Sequence, residues 1–454
     1  MDNAIIRKYD IRGIVGKDLH ISDGYEIGRK FGQLLTSVCV GYDSRIDSPS
    51  IEKELIKGLV SSGANVMRTG LCSSPMLYAA TQITQAEAGI IITASHNPSE
   101  YNGFKFFSKR KVFSDEEIKQ IMQSPIENNS QVGSIININI YDRYINILKS
   151  AVQDDSEKKL KIAWDCSNSP AIGIIRYIEN ILPGHTHIVI NNSIDGTFPI
   201  HDPDPTEEKN LIQLMKTIKE HECDFGIALD GDSDRVRLVD KRGNVISSDH
   251  LFMIFAREVL KKHPSSKIIA NVKMSMKVHD FVSKLGGQVI TCATGHSLVK
   301  EKMMKENAQF AGELSGHFFF SELGFDDGLY SAIKAVDIVL KKKQSLCEII
   351  ENLPKLYITH EVKITVEDEK KFQIIQSIKT MLKRENIAFS ELDGIKVVTE
   401  NKNGWWLLRA SNTQNCITAR CEGENLEDFE LTKKILFYYL GEAQSFSSAG
   451  NGKE

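Results

Sequence analysis

Three aspartates spaced two apart around a glycine, Asp230-Gly231-Asp232-Ser233-Asp234-Arg235, are the densest chemical signal in this chain. Carboxylates this close repel one another unless a cation offsets them, and in a tight turn they form an oxygen cage for a hard divalent ion. A calcium EF-hand loop is excluded, because its sixth position is Arg235 rather than glycine and its twelfth is Lys241 rather than glutamate. The spacing therefore predicts a small oxygen-ligated Mg2+ whose shell is completed by a phosphate.

Three further loops carry groups suited to phosphate and sugar chemistry. Thr93-Ala94-Ser95-His96-Asn97-Pro98 follows an apolar run, and Asn97 and Pro98 favour a tight turn that exposes the Ser95 hydroxyl. That hydroxyl suits a nucleophile or a phosphoryl carrier, with His96 and Lys105 close by in sequence. Read alone, the same tetrapeptide also fits a plain serine turn. In Gly312-Glu313-Leu314-Ser315-Gly316-His317, alternation predicts that Glu313 and Ser315 project from one side of an extended segment, offering acceptor and donor groups to vicinal hydroxyls; read alone, the hexapeptide also fits a turn near a sheet edge. Arg409-Ala410-Ser411-Asn412-Thr413 packs a guanidinium fork, two hydroxyls and an amide into one loop, a composition that suits phosphate but, read alone, equally fits an ordinary Ser/Thr/Asn-rich turn.

The elements that must position these loops read as strand-then-helix alternation. Apolar runs at 38–41, 89–93, 162–164, 225–229, 268–272 and 288–291 are followed by polar loops and amphipathic stretches, the signature of α/β layers with largely buried parallel strands. After the first run, Ser48 is placed as N-cap and Pro49 in the first turn of a helix carrying Ile51, Leu55, Leu59 and Val60 up to Gly63. The recurrence predicts one α/β unit used several times. With 454 residues the chain exceeds a single core. Seams are expected so as to give domains 1–140, 141–244, 245–355 and 356–454, the last a smaller α+β domain with a disordered polar tail from Ser445.

Net charge is −4 with basic residues dispersed, which argues against a nucleic-acid partner. No run approaches the length of a membrane span or a signal peptide. The eight cysteines show no paired framework, so buried thiols in a reducing cytoplasm are expected.

In this order, the four loops resemble the α-D-phosphohexomutase superfamily, in particular its bacterial phosphomannomutase/phosphoglucomutase branch. The resemblance runs along nearly the whole chain, through Tyr9-Asp10-Ile11-Arg12-Gly13, Asp195-Gly196-Thr197-Phe198-Pro199, Pro203-Asp204-Pro205, Thr294-Gly295-His296-Ser297-Leu298 and Gly324-Phe325-Asp326-Asp327-Gly328. It implies three similar α/β domains with mixed sheets and a smaller α+β C-terminal domain around a central cleft. It also implies that Ser95 carries the phosphoryl group, and that Asp230, Asp232 and Asp234 bind Mg2+ together with a Ser95 phosphate oxygen. His96, Lys105 and Arg235 would then lie beside the transferring group, with Tyr9, Arg12, Lys273 and His296 lining the site. Glu313 and Ser315 would grip the sugar, and Arg409, Ser411, Asn412 and Thr413 the non-reacting phosphate. Two positions depart from the pattern: Ser233 stands where relatives often have glycine, and Thr413-Gln414-Asn415 ends where they commonly have proline.

The implied activity interconverts hexose 1-phosphate and hexose 6-phosphate of mannose or glucose through phosphoserine and a hexose 1,6-bisphosphate, which also serves as activator. The Glu-Leu-Ser-Gly-His loop resembles that of mannose/glucose mutases rather than that of phosphoglucosamine mutases, whose comparable loop tends to carry glutamine before the serine. His96, His317 and Lys105 all qualify as proton carrier. Sugar phosphates are the expected partners, with no nucleic acid or membrane, and the chain is expected to act as a cytoplasmic monomer. A metal-dependent phosphatase using Ser95 and a non-catalytic sugar-phosphate sensor are the competing readings; the sensor predicts lost nucleophile or ligands, yet Ser95 and all three aspartates are present.

Overall fold

The computed structural model describes residues 5–6, 9–108, 113–127, 131–153, 157–411 and 415–449. They form two compact units, residues 1–251 with 310–352, and residues 252–309 with 353–454.

The first unit contains a six-stranded mixed sheet. Its strands are β1 (Asp10–Ile14), β2 (Ser37–Tyr42), β3 (Asn65–Leu71), β4 (Ala88–Ile92), β5 (Tyr101–Phe107) and β6 (Ile135–Asn137), in the order β1-β5-β4-β2-β3-β6. β4, β2, β3 and β6 run parallel, whereas β5 is antiparallel to both β4 and β1. A second sheet holds β7 (Lys161–Asp165), β8 (Thr186–Ile190), β9 (Phe225–Leu229) and β10 (Val236–Asp240) in the order β10-β9-β7-β8. There β7 is parallel to β8 and β9, and β9 is antiparallel to β10. The order β5-β4-β2-β3 matches β10-β9-β7-β8 strand for strand and sense for sense, so one unit is used twice. Its consequence is positional: the connection from the last parallel strand to its antiparallel neighbour carries Ser95 in the first sheet and the three aspartates in the second.

β4 and β9 are buried at every residue, which is why both read as unbroken apolar runs. Over β2, the helix Ser48–Ser61 buries Ile51, Leu55 and Leu59. Its N-cap is Asp47; Ser48 lies inside the helix with its hydroxyl donating to Asp43, because a nearby buried carboxylate outcompetes the helix end. The helix Asp23–Gly32 crosses it closely, and a Cβ on Gly28 would lie 2.2 Å from the Leu55 carbonyl oxygen. The hairpin Phe310–Gly312 with Phe318–Phe320 and the helix Gly328–Lys342 complete this unit.

In the second unit, the parallel strands Lys267–Asn271 and Gln288–Cys292 are each followed by a helix, Met276–Lys284 and His296–Glu306. An antiparallel sheet joins Tyr357–Ile358, Cys416–Gly423, Gly404–Ala410 and Ile395–Val398 in that order, with Val362–Thr365 also on Cys416–Gly423. Helices Asp368–Arg384 and Leu426–Ala449 cover it through Ile378, Leu382, Trp406, Leu408, Ile417 and Leu436. The last helix corrects the expectation of a disordered tail from Ser445, since it continues to Ala449. Extending a helix that is already nucleated costs little per residue. Residues 450–454 lie outside the described residues.

All eight cysteines are buried and free. Among the described residues no helix is long and apolar enough to cross a membrane.

Candidate active site

Asp230, Asp232, Ser233 and Asp234 are fully buried at the end of β9. Asp230, Asp232 and Asp234 each place a carboxylate oxygen within 4.8 Å of the others. The loop folds this tightly because Ser233 adopts φ 64° and Gly231 admits close neighbours: a Cβ there would sit 2.5 Å from the Ser95 carbonyl oxygen. The Ser233 departure thus falls on a left-handed residue, a conformation that favours glycine.

Lys105, on β5, donates from Nζ to Asp232 Oδ2 and Asp234 Oδ2, both at 2.6 Å. Ser74 Oγ donates to the same Asp232 oxygen at 2.6 Å. Asp232 Oδ1 is buried without a hydrogen-bond partner. Burial and the charges of Asp234 and Asp232 push Asp230 well above the usual carboxylate range. Asp234, despite its burial, is held well below it by Lys105, His317 and Arg235. Three buried oxygen donors, one with an orphaned lone pair, fit a hard divalent cation.

Ser95 lies beside this cluster. Its Oγ donates to Asp230 Oδ2 at 2.9 Å, and its backbone N–H donates to Thr93 Oγ1 at 2.8 Å. Its φ is 52°, uncommon for a residue with a Cβ and a feature that clusters at working sites. His96 Nδ1 stands 3.4 Å from Ser95 Oγ. Arg12 donates to the Ala94 carbonyl at 3.2 Å and to Asn97 Oδ1 at 2.7 Å, while pairing with Asp10 at 2.8 Å. Arg235 donates its backbone N–H to Asp230 Oδ1 at 3.1 Å and places its side-chain Nε 3.8 Å from Asp230 Oδ2. Tyr9 precedes β1, in the stretch that leads to Arg12.

Glu313 and Ser315 occupy a tight hairpin turn rather than the extended segment expected from their alternation. The Gly316 N–H donates to the Glu313 carbonyl at 3.1 Å, and the left-handed Gly316 (φ 97°) allows the reversal. They converge all the same, on one imidazole. His317 Nδ1 lies 2.8 Å from Ser315 Oγ and 3.3 Å from Glu313 Oε2, and its Nε2 lies 3.1 Å from Asp234 Oδ1. Burial opposes its charge, but Asp234 and Glu313 prevail and raise it to about 9. Lys105 is likewise raised well above its usual value by Asp232 and Asp234, against burial. His96 is lowered well below the usual histidine range by burial and by Arg235, Arg12 and Lys105. Of the three proton-carrier candidates, His96 is therefore the neutral one at neutral pH.

The second unit gathers its own set. Lys273, following Lys267–Asn271, pairs through Nζ with Glu361 Oε1 at 2.9 Å. The loop before His296 is fixed by the Thr294 N–H donating to Asp393 Oδ2 at 2.9 Å, while Asp393 Oδ1 accepts from Arg409 Nε at 2.8 Å. One carboxylate thus ties the His296 loop to Arg409. Ser411 donates its N–H to the Cys416 carbonyl at 2.9 Å, and its own carbonyl accepts Lys371 Nζ at 2.7 Å. Asn412, Thr413 and Gln414 lie outside the described residues.

Reasoning from the sequence missed Ser74, Asp43, Arg45, Asp393 and Glu361. Asp43 and Arg45 sit in the polar loop ending the first apolar run, which was visible; the others carry no local signal.

A repeated α/β scaffold places a buried carboxylate triad at one strand end and a serine at the matching end of another. The family comparisons agree with this scaffold. The chain matches the phosphoglucomutase/phosphomannomutase α/β/α domains I, II and III over residues 3–132, 142–243 and 247–357, and the C-terminal domain over 361–435. It belongs to the phosphoglucomutase/phosphomannomutase family and is an enzyme of the isomerase class. It is 38% identical over 441 residues to a phosphomannomutase/phosphoglucomutase of Pseudomonas syringae pv. tomato, covering 95% of this chain and 93% of that one. A phosphoglucomutase of Neisseria meningitidis is 34% identical, over 92% of this chain and 93% of its own. A crystal structure of a phosphoglucomutase/phosphomannomutase family protein from Burkholderia thailandensis superposes with a TM-score of 0.88 at 29% identity, covering 98% of each chain.

Proposed function

We propose that the chain interconverts the 1-phosphate and 6-phosphate of a hexose, mannose or glucose, through a phosphoserine at Ser95 and a hexose 1,6-bisphosphate. The observation that carries this reading is the Ser95 Oγ to Asp230 Oδ2 hydrogen bond at 2.9 Å beside two further buried carboxylates. A phosphate on that oxygen would be repelled by the aspartates alone, so the arrangement calls for a cation shared between them. Asp230, Asp232 and Asp234 with a Ser95 phosphate oxygen would hold Mg2+, which neutralises charge on the transferring group when bound.

The residues divide the work. The free sugar hydroxyl attacks phosphorus, the bond to Ser95 Oγ breaks, and the proton leaving the hydroxyl is returned to the serine oxygen. Arg235 and Lys105 place positive charge beside the transfer, and His96, His317 and Lys105 are the groups available to move the proton. Glu313 and Ser315 read sugar hydroxyls, and Arg409, Ser411, Asn412 and Thr413 hold the other phosphate, with Tyr9, Arg12, Lys273 and His296 lining the site. The bisphosphate turns over, returns its second phosphate to Ser95, and reloads any serine that loses its group. The same reading takes sugar phosphates as the partners of a cytoplasmic monomer, with domains 1–140, 141–244, 245–355 and 356–454.

Phosphorus NMR of mannose 1-phosphate and glucose 1-phosphate, with enzyme, Mg2+ and a trace of bisphosphate, tests the reading. The 6-phosphates should accumulate without stoichiometric inorganic phosphate, and Ser95→Ala should abolish the conversion. Full turnover in Ser95→Ala would sink the relay, and phosphate released in step with substrate loss would favour a phosphatase.

A further inference from the structure

Arg45 is buried at the end of β2, with its guanidinium pointing into the turn between β4 and β5. Nη1 donates to the Pro98 carbonyl at 2.6 Å and the Tyr101 carbonyl at 2.9 Å. Nη2 donates to the Ser95 carbonyl at 2.8 Å and the Asn97 carbonyl at 2.5 Å. One side chain therefore satisfies four carbonyls of the turn that presents the Ser95 hydroxyl. Such carbonyls are costly to bury unpaired.

The arginine is itself locked on two sides. Its Nε lies 3.2 Å from Asp43 Oδ2, while Asp43 Oδ1 accepts the Arg45 N–H at 3.0 Å and the Ser48 hydroxyl at 2.8 Å. Asn102, on β5, donates to Ser48 Oγ at 3.0 Å and closes the circuit from β2 to β5. On the other side the Asp195-Gly196-Thr197-Phe198 segment packs against it. The Phe198 ring lies 5.1 Å from the guanidinium carbon, and a Cβ on Gly196 would sit 2.4 Å from the Ser44 carbonyl and 2.6 Å from Arg45 Cα. That segment, prominent in the sequence and without a role in the reaction above, thus braces Arg45.

We propose that Arg45 is a positioning residue that fixes the direction of the Ser95 Oγ, and that the 195–198 segment holds it there. The proposal rests on Ser95 being the phosphoryl carrier. Ser95 keeps its left-handed backbone because its N–H is held by Thr93 Oγ1 and its carbonyl by Arg45, so the Oγ faces Asp230 without searching. In-line phosphoryl transfer depends on that aim, and a displacement of about 1 Å costs on the order of 100-fold in rate. A planar fork with five donors reaches four carbonyls at once; a lysine ammonium with three donors on a flexible stem does not.

The test compares Arg45→Lys with the wild-type holoenzyme by steady-state kinetics on glucose 1-phosphate and by hydrogen exchange. The expected result is a kcat reduced about 10- to 100-fold with KM within threefold, together with faster exchange at the amides of Asn97, Ser99, Glu100 and Tyr101 and unchanged exchange in β9. If Arg45→Lys does not fold, Asp43→Asn, which loosens the guanidinium without removing it, should give the same pattern at smaller size. A kcat within twofold of wild type, or loop exchange unchanged, overturns the proposal, as does a KM rise that accounts for the whole loss. Ser95→Ala is run alongside: turnover retained there overturns the phosphoserine reading, and the exchange data then still decide whether Arg45 holds the loop.

Discussion

Replacing Lys105 by methionine keeps the volume of a buried side chain while removing its charge. In the native chain its ammonium is 2.6 Å from both Asp232 and Asp234, at a side-chain exposure of 3% against 0% for each partner. Removing one member of a buried ion pair leaves uncompensated charge and costs about 3–5 kcal/mol. Asp234 keeps His317 and Arg235 nearby, whereas Asp232 keeps only the Ser74 hydroxyl on Oδ2 and has no partner on Oδ1, so the loss falls mainly on Asp232. At about 1.6 °C per kcal/mol for a unit of this size, melting in EDTA should fall by roughly 5–8 °C. Losing a positive charge beside the triad should also tighten cation binding, so saturating Mg2+ should raise the variant's melting temperature more than the wild type's. Differential scanning calorimetry in EDTA and in Mg2+ measures both. A variant that melts within about 2 °C of wild type in EDTA, or that gains no more from Mg2+ than wild type does, would refute the reasoning.

Two other substitutions probe single features. Ser233→Gly relieves a left-handed backbone at φ 64° but gains unfolded-state freedom, so stability should stay within about 1 kcal/mol; Ser233→Val should lose more than about 2 kcal/mol, because a β-branched residue is strained there. Denaturant titration separates the two, and equal losses would remove the backbone explanation. Glu361 would be raised by burial, but Lys273, Arg409 and Arg420 pull it down to about 2 from 4.5. A depressed folded value adds stability that is present above about pH 4.5 and is lost as pH falls towards 2. Glu361→Gln should therefore flatten acid unfolding in that window, and an unchanged acid profile would count against the pairing with Lys273.

How far the site was legible in the sequence depends on the kind of group. The parallel strands β2, β4, β7 and β9 were readable because burial on both faces demands continuous apolar runs. The antiparallel β5 and β10 were not, because the buried polar residues Asn102, Lys105, Arg237 and Asp240 interrupt their apolar runs and both strands follow polar loops. The mutual arrangement of Glu313 and Ser315 was misjudged, because alternation implies an extended segment only where no glycine turns the chain, and Gly316 turns it.

By itself the sequence determined the chemistry on offer: three carboxylates at fixed spacing, a hydroxyl at a strand end, and a guanidinium among hydroxyls and an amide. Local spacing sufficed because each of those groups is built within a few residues. Only the tertiary structure decided what touches what. Ser74 meets Asp232 across 158 positions, Lys105 reaches Asp232 and Asp234 across 127 and 129, and Arg45 finds the Ser95 turn 50 positions on. The partners of Arg45 are backbone carbonyls, which every residue has, so no pattern of side chains announces them. The repeated sheet order brings the ends of β4 and β9 to comparable places in their sheets, and the contact of Gly231 with the Ser95 carbonyl joins the two loops into one site.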